Sequence, residues 1–130
     1  MIQFKYTILY VKDVVRSIDF YTSVFGIQPN LITPEEDYGE LITEGVKLAF
    51  ASHELARKNL SQGFSPSDQS VLPQSFELGF VTDDVEALLE LALKEGASLV
   101  EPPEKKEWGQ VVAYIQDLDG ILVELSTPIN

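Results

Sequence analysis

Cysteine is absent from this chain of 130 residues, and histidine occurs once, as His53. The absence of cysteine excludes disulfides, thiolate metal sites and cysteine nucleophiles. Basic residues are also few, since 9 Lys and Arg stand against 21 Asp and Glu for a net charge of −12. This charge repels phosphates and anionic lipids, so we expect neither nucleic acid nor a membrane as a partner.

Long apolar runs are missing as well. No stretch approaches the roughly 20 residues of a membrane-spanning helix, and residues 1–6 lack the apolar core of a signal peptide. We therefore expect a cytoplasmic protein. The length suits one domain of ordinary size, which needs no disulfide to fold.

The sequence divides into two similar halves. An alternating β-branched and aromatic run, 6–13, is matched 71 positions later by the run 77–84. Each run ends in an Asp that is suited to cap a following helix. Each helix is predicted to stop at a glycine, Gly26 or Gly96, because a left-handed C-cap favours that residue.

The halves also close alike. A turn glycine feeds a strand at 44–50 and again, 75 positions later, at 119–125. Two shorter strand-like runs precede each closing strand, and the Pro-rich segment 101–107 is predicted to be a break between them. The sequence therefore predicts one domain over 1–130 with the unit β-α-β-β-β twice, as module 1 (1–52), a linker (53–74) and module 2 (75–130).

Short motifs at both ends of the chain point to a known family. The opening contains Val11-Lys-Asp13, Phe20-Tyr21 and Phe25-Gly26, and the close contains Trp108-Gly109 and Asp117-Leu-Asp-Gly-Ile-Leu-Val-Glu-Leu125. In this order and with the repeat, the chain resembles the vicinal oxygen chelate superfamily of glyoxalases, extradiol dioxygenases and bleomycin-resistance proteins. The resemblance implies an α+β fold in which two βαβββ modules form a curved eight-stranded mixed sheet with helices on the convex side. It also implies a ligand or metal in the concavity and a homodimer.

The metal enzymes of that family carry one ligand on the first strand and one on the last strand of each module. Mapped through the repeat, these positions hold Tyr6 and Ala49 in module 1 and Glu77 and Glu124 in module 2. Ala49 cannot bind a metal, and Tyr6 would have to ionise from a pKa of about 10. His53 is expected in a surface loop. We predict no metal and no cofactor.

The cavity is instead predicted to be aromatic and acidic. Its expected ligand-binding residues are Phe4, Tyr6, Tyr10, Glu77, Trp108 and Glu124. Such a cavity suits a cationic or aromatic small molecule, which the chain would sequester without chemistry, as bleomycin-resistance proteins do. Alternatively, Trp108 packs on a hairpin, Glu124 is a relic paired with Lys47, and Glu77 reaches solvent.

Two other functions stay open. A lactoylglutathione-lyase-like or other metal-dependent lyase or isomerase would use the same cavity, because two adjacent carboxylates can share a proton and supply a general base. A regulatory module that binds a protein partner is the third. The sequence identifies neither the ligand nor whether the modules pair within one chain or between chains.

Overall fold

The repeat in the sequence is also a repeat in the structure. The computed structural model describes residues 1–129, and the chain divides into unit 1, Met1–Pro66, and unit 2, Ser67–Asn130. Each unit contains the predicted β-α-β-β-β order, so the α+β class is confirmed. Unit 1 consists of β1 (Tyr6–Val11), α1 (Val14–Phe25), β2 (Pro29–Ile32), β3 (Tyr38–Leu41), β4 (Lys47–Ser52) and α2 (His53–Asn59). Unit 2 consists of β5 (Leu78–Val81), α3 (Val85–Lys94), β6 (Ser98–Lys105), β7 (Val111–Gln116) and β8 (Leu122–Ser126).

Each unit holds one four-stranded mixed sheet with the same topology. The order is β1-β4-β3-β2 in unit 1 and β5-β8-β7-β6 in unit 2. In both sheets the first and last strands of the unit run parallel and the other pairs are antiparallel. Ile8 lies opposite Ala49, and Gly79 lies opposite Glu124, which confirms the offsets of 71 and 75 found in the sequence.

The edge strands repeat an irregularity that the sequence did not reveal. The register of β2 shifts between Pro29 and Leu31, and that of β6 shifts between Leu99 and Glu101. Both shifts leave one extra residue in the edge strand, which is the signature of a β-bulge. The bulge is therefore part of the duplicated unit.

The long helices begin and end much as the sequence predicts. Asp13 and Asp84 accept hydrogen bonds from the backbone N–H three residues later, at 3.1 and 3.0 Å. Gly26 is the left-handed C-cap of α1. At the end of α3 the C-cap is Glu95 and Gly96 follows it at φ 111°, with N–H groups of Gly96 and Ala97 bonded to the last turn.

The prediction of a break at 101–107 is wrong, because β6 continues through Pro102 and Pro103 to Lys105. A proline lacks the N–H that a central strand must donate, but an edge strand tolerates it. Here β6 is the edge of its sheet, and a second register shift between Glu101 and Glu104 leaves both prolines outside the paired positions.

The predicted linker, 53–74, is divided between the units. Its first part carries α2 and Phe64 within unit 1. In unit 2, the Gln69 side-chain N–H groups donate to the carbonyls of Gly96 and Asp117, both at 2.9 Å.

None of the three helices in residues 1–129, of which the longest has 12 residues, is long and apolar enough to cross a membrane.

Candidate functional site

One face of each sheet packs on the long helix of its unit, α1 or α3, and the other faces away from that helix. In unit 1 a Cβ added to Gly39 would lie 2.5 Å from Ile18 Cδ1 of α1, so this residue of β3 faces the helix. Its neighbours Tyr38 and Glu40 therefore face the opposite way, because side chains alternate along a strand. We call this surface, which faces away from α1, the helix-free face. By the same alternation, the predicted first-strand and last-strand positions of each unit point to this side of its sheet.

Strand β4 carries two alanines on the helix-free face of unit 1, and both are buried. Larger side chains of β1 and β3 flank them, namely Ile8 and Glu40 beside Ala49, and Tyr10 and Tyr38 beside Ala51. Paired side chains in neighbouring strands stand about 5 Å apart, so the flanking side chains adjoin both alanines, which are 0% and 6% exposed. We call these six residues the alanine trough.

Glu40 is the acid of the alanine trough, and it is 8% exposed. The Tyr38 hydroxyl donates to its Oε2 at 2.9 Å, and the Asn30 amide, from the bulge in β2, donates to its Oε1 at 3.2 Å. Both partners are neutral groups. The carboxylate is thus held by two neutral donors, and Lys47 of β4 lies on the same face of the sheet.

Unit 2 places its acid in the same row of the sheet but on the other strand. Glu124 on β8 lies opposite Tyr114 on β7, whose hydroxyl donates to Glu124 Oε2 at 3.1 Å. In unit 1 the equivalent row has Ala49 on the last strand and Glu40 on the strand beside it. In each unit, therefore, this row contains one carboxylate that accepts a hydrogen bond from a tyrosine hydroxyl.

Glu77 and Glu124 contact each other, as the repeat predicted for two cavity positions. Partial burial is the main reason that the pKa of Glu77 is raised, and a hydrogen bond with Glu124 and the negative charge of Glu124 raise it further. Because Glu77 lies before β5 and remains an exposed residue, solvent screens part of this repulsion. The pair has the geometry to share one proton.

Replacing Glu77 with Gln is expected to stabilise the chain at neutral pH. A carboxyl whose pKa is raised on folding contributes stability below its unfolded pKa of about 4.3, and that contribution is lost as the pH rises through the higher folded pKa. The variant should melt about 1 to 4 °C above the parent at pH 7.5, and the difference should shrink toward pH 4. Thermal melts across this range test it, with Glu107→Gln, an exposed residue of the same unit, as the charge-matched control. A difference independent of pH, or equal for the control, would contradict the coupling.

The two phenols are held as donors. Burial, followed by the hydrogen bond to Glu40 and its charge, raises the pKa of Tyr38 to about 12, with a smaller contribution from Tyr6. Burial, followed by the hydrogen bond to Glu124 and its charge, raises the pKa of Tyr114 to about 12. Both hydroxyls therefore keep their protons at neutral pH and serve as donors to the carboxylates.

The predicted aromatic residues of unit 1 lie at different depths. Phe4 precedes β1 and is 75% exposed, and Tyr6, the first residue of β1, is 49% exposed. Tyr10 is half-buried, and its ring meets that of Phe64 edge-on at 4.9 Å. Phe64 was not predicted, because nothing in the sequence of the linker indicates that it folds back onto β1.

His53 is not in a surface loop, so that expectation is wrong. It is the first residue of α2 and is half-buried, with its ring 5.4 Å from that of Phe64. Its Nε2 atom is buried and has no hydrogen-bond partner among the described residues. Packing of the linker phenylalanine accounts for its burial.

Trp108 lies in the turn between β6 and β7 of unit 2 and is 66% exposed. Its indole N–H donates to Gln110 Oε1 at 2.7 Å, and the Gln110 amide donates to the carbonyl of Thr127 at 2.7 Å. The indole is therefore oriented by hydrogen bonds and not by burial. Its role in binding stays a prediction.

Sequence reasoning missed Asn30 on the edge strand β2, and Tyr38, Glu40 and Tyr114 on the strands β3 and β7. Mapping through the repeat considered only the first and last strands of each module. Parity along β3 and β7 was an available signal, because Tyr38 and Glu40 are two residues apart and must share a face. The register that sets Glu40 beside Ala49 was not available from sequence.

The donor set does not fit a transition metal. In residues 1–129 no group of three or more His, Asp and Glu side chains is arranged to hold a metal ion. Of the four family positions, Ala49 has no donor and the phenol of Tyr6 must ionise first. Glu77 and Glu124 remain, which is fewer than the three protein ligands that a catalytic zinc site uses.

Comparison with known proteins agrees with the fold and the repeat. The family model described as the glyoxalase/bleomycin resistance protein/dioxygenase superfamily matches residues 3–125. The lactoylglutathione lyase GLX1 of Arabidopsis thaliana is 30% identical over 129 residues, which are 95% of this chain but 43% of that protein, so the chain spans less than half of its length.

Solved structures share the fold at lower identity. A glyoxalase-related enzyme from Fulvimarina pelagi superposes with a TM-score of 0.83 at 21% identity, over 98% of this chain and 89% of that one. A glyoxalase/bleomycin resistance protein/dioxygenase family enzyme from Burkholderia phytofirmans PsJN gives 0.80 at 23% identity, over 97% and 98%. The chain therefore belongs to the glyoxalase/bleomycin resistance protein/dioxygenase superfamily.

Proposed function

We propose that this chain binds a small cationic ligand on the helix-free face without a metal, in the manner of a bleomycin-resistance protein. One observation carries the proposal: each unit fixes a carboxylate on its own helix-free face with neutral hydrogen-bond donors, Tyr38 and Asn30 for Glu40 and Tyr114 for Glu124. A carboxylate held by neutral donors is suited to take its counter-charge from a ligand.

The aromatic content of the same face supports this proposal. Tyr6 and Tyr10 on β1 share a face with Glu40 and offer ring surfaces that attract cations. The net charge of −12 also raises the local concentration of cations around the chain. Charge alone would favour any cation, but the aromatic rings favour an organic one.

A thermal-shift screen tests the proposal. The chain, freed of metals with EDTA, is heated with bleomycin, with simple aromatic cations and with neutral and anionic analogues of the same size. A ligand that binds only the folded state raises the melting temperature in proportion to RT ln(1 + [L]/Kd). We expect shifts from organic cations alone. Equal shifts from neutral analogues, or no shift from any cation, would refute the proposal.

A lactoylglutathione-lyase-like activity is the second candidate. The 30% identity to a lactoylglutathione lyase favours it, although this chain covers 43% of that protein. The raised pKa of Glu77 beside Glu124 is also what a general base requires. Against it, the hydrogen bond that Glu124 accepts comes from a neutral phenol, whereas an enolate needs positive charge or several donors for its stabilisation.

Metal titration separates the two candidates. Because only Glu77 and Glu124 remain as metal donors at the four family positions, calorimetry with Mn²⁺, Ni²⁺, Zn²⁺ or Fe²⁺ should show no tight stoichiometric binding. The same samples are assayed for glyoxalase turnover with added Ni²⁺ or Zn²⁺, and we expect background rates. A one-to-one site of about micromolar Kd together with turnover would favour the lyase.

A further inference from the structure

A cavity of about 290 Å³ lies at one end of the sheet of unit 1, where β1 and β4 end and β3 begins. Its walls come from the residue after β1, from α2 and from the turn 33–37 that precedes β3. We call it the end cavity, and its charged lining residues are Lys12, Glu35, Glu36, Asp37, Glu54 and Arg57. All of them belong to unit 1, so the cavity is complete within that unit.

The end cavity has room for a ligand and is open to solvent. Five of its six charged lining residues are exposed, and the sixth, Asp37, is half-buried. Its volume is close to the lower limit of the range of about 300 to 1,000 Å³ that small-molecule sites span. A ligand of about the size of an amino acid suits this volume.

Opposite charges line the cavity from different elements. Arg57 lies on α2, and the turn before β3 carries Glu35, Glu36 and Asp37, which we call the acidic wall. Within residues 1–129 Arg57 forms no ion pair with the acidic wall, although both line the same cavity. A guanidinium and carboxylates that face one cavity without pairing are suited to a ligand that itself carries both signs of charge.

An aromatic contact places the guanidinium of Arg57. Its central carbon lies 5.3 Å from the centroid of the Phe64 ring. The Phe64 ring is in turn held by Tyr10 and His53, with ring centroids 4.9 and 5.4 Å away. A cation–π contact stabilises the charge of a guanidinium without supplying an acceptor for its five N–H donors. Arg57 can therefore donate two N–H groups to the carboxylate of a ligand.

Hydrogen bonds hold the acidic wall. The Thr33 hydroxyl donates to Asp37 Oδ1 at 2.8 Å, and the N–H of Ser52 donates to the Asp37 carbonyl at 2.8 Å, which ties the turn to β4. The bond to Oδ1 leaves Asp37 Oδ2 as an acceptor. Glu36 adopts φ 58°, a left-handed conformation that is uncommon outside glycine. The carboxylates of this wall therefore stand on a backbone whose conformation is fixed by its own contacts.

We propose that the end cavity binds a small amino acid with a basic side chain, whose carboxylate contacts Arg57 and whose two ammonium groups contact the acids. Four acids line the cavity against two bases, Lys12 and Arg57, so a ligand with one carboxylate and two positive groups matches this lining better than one with equal charges. The inference does not depend on the function proposed above, because none of the six charged lining residues takes part in it.

Calorimetric titration of the whole chain with three related probes tests the inference. L-Lysine carries all three charged groups, cadaverine lacks the carboxylate, and 6-aminohexanoate lacks the α-ammonium group. Each missing group removes a charge-assisted hydrogen bond, so we expect L-lysine to bind at least about tenfold more tightly than either analogue. Equal affinities for the three probes, or no binding of L-lysine, would overturn the inference.

Arg57→Met removes the guanidinium but keeps an unbranched side chain on α2. It should weaken L-lysine by about tenfold or more and should not weaken cadaverine, which has no carboxylate to lose its partner. Lys58→Met is the matched control. It removes the same charge from the next residue of α2, which is exposed and does not line the cavity, and it should change neither affinity.

Asp37→Asn tests the acidic wall and keeps an oxygen that can accept from Thr33. It should weaken L-lysine and cadaverine by about tenfold each, whereas Glu44→Gln, exposed between β3 and β4, should weaken neither. Thermal melts check that each variant folds. Unchanged L-lysine affinity in both Arg57→Met and Asp37→Asn overturns the inference. If Glu124→Gln weakens L-lysine and these two variants do not, the proposed function stands and this inference falls.

Discussion

Replacing Glu124 with Gln is expected to weaken the binding of an organic cation by more than about tenfold without lowering the melting temperature. The loss follows from the removal of a charge-assisted hydrogen bond, which contributes about 1.5 to 3 kcal/mol. Stability should hold because Gln keeps the shape of Glu and still accepts a hydrogen bond from Tyr114. The substitution also relieves the contact between two carboxylates.

Calorimetry with the strongest cation from the thermal-shift screen, together with a thermal melt, measures both halves of this expectation. Glu90→Gln, on the exposed side of α3, is the control, because it removes the same charge from the same unit. Equal affinity of Glu124→Gln and wild type would remove Glu124 from the site. A large drop in melting temperature would mean that Glu124 is needed for folding.

Replacing Gly120 with Ala is expected to destabilise unit 2 strongly. Gly120 adopts φ 85°, and an added Cβ would lie 2.6 Å from both the backbone N and O of Asp68. A left-handed conformation costs a non-glycine residue about 1 to 2 kcal/mol, and displacing a backbone segment adds to this. We expect a loss of about 3 kcal/mol or more, which lowers the melting temperature by about 10 °C.

Gly45→Ala is the matched control for that experiment. Gly45 has φ 73° at the equivalent turn of unit 1, but nothing lies within 4 Å of its added Cβ. This variant should therefore show the conformational cost alone, about 1 to 2 kcal/mol. Equal losses in denaturant or thermal unfolding of the two variants would mean that the segment at Asp68 moves aside freely. The comparison isolates the close approach of the linker to the turn that begins β8.

The motif around Gly120 illustrates what a resemblance can and cannot predict. The sequence 117–120 was recognised as a family signature, but its role emerges only from the hydrogen bonds. Asp117 Oδ1 accepts from the N–H groups of Asp119 and Ile121, at 2.9 and 3.0 Å, and so shapes the turn into β8. The motif therefore forms a backbone turn that leads into the strand of Glu124.

The element order was predictable because caps, turn glycines and alternation repeat in both halves. Asp13 and Asp84 could be recognised as caps from their positions before two apolar helical stripes. The prolines of β6 led to the wrong prediction of a break, because a Pro-rich run predicts a break unless the strand is known to lie at the edge of a sheet. Whether a strand lies at an edge depends on the arrangement of the whole sheet, and no local sequence pattern indicates it.

The site was predictable in part for the same reason. Glu77 and Glu124 followed from the repeat, since both lie at positions fixed by the duplication. Glu40 did not follow from the repeat, because the equivalent position in unit 2 holds Tyr114, and a comparison of equivalent positions finds no second acid there. Finding it required the pairing of β3 with β4, which brings together residues that no sequence spacing relates.

Metal-free binding of an organic cation is the property that we propose for this superfamily member. Its most direct test is calorimetry of the EDTA-treated chain with the strongest cation from the screen, repeated with Ni²⁺ or Zn²⁺ present. We expect the cation to bind the metal-free chain with an affinity that neither ion changes. Binding that appears only when the metal is added would contradict the proposal.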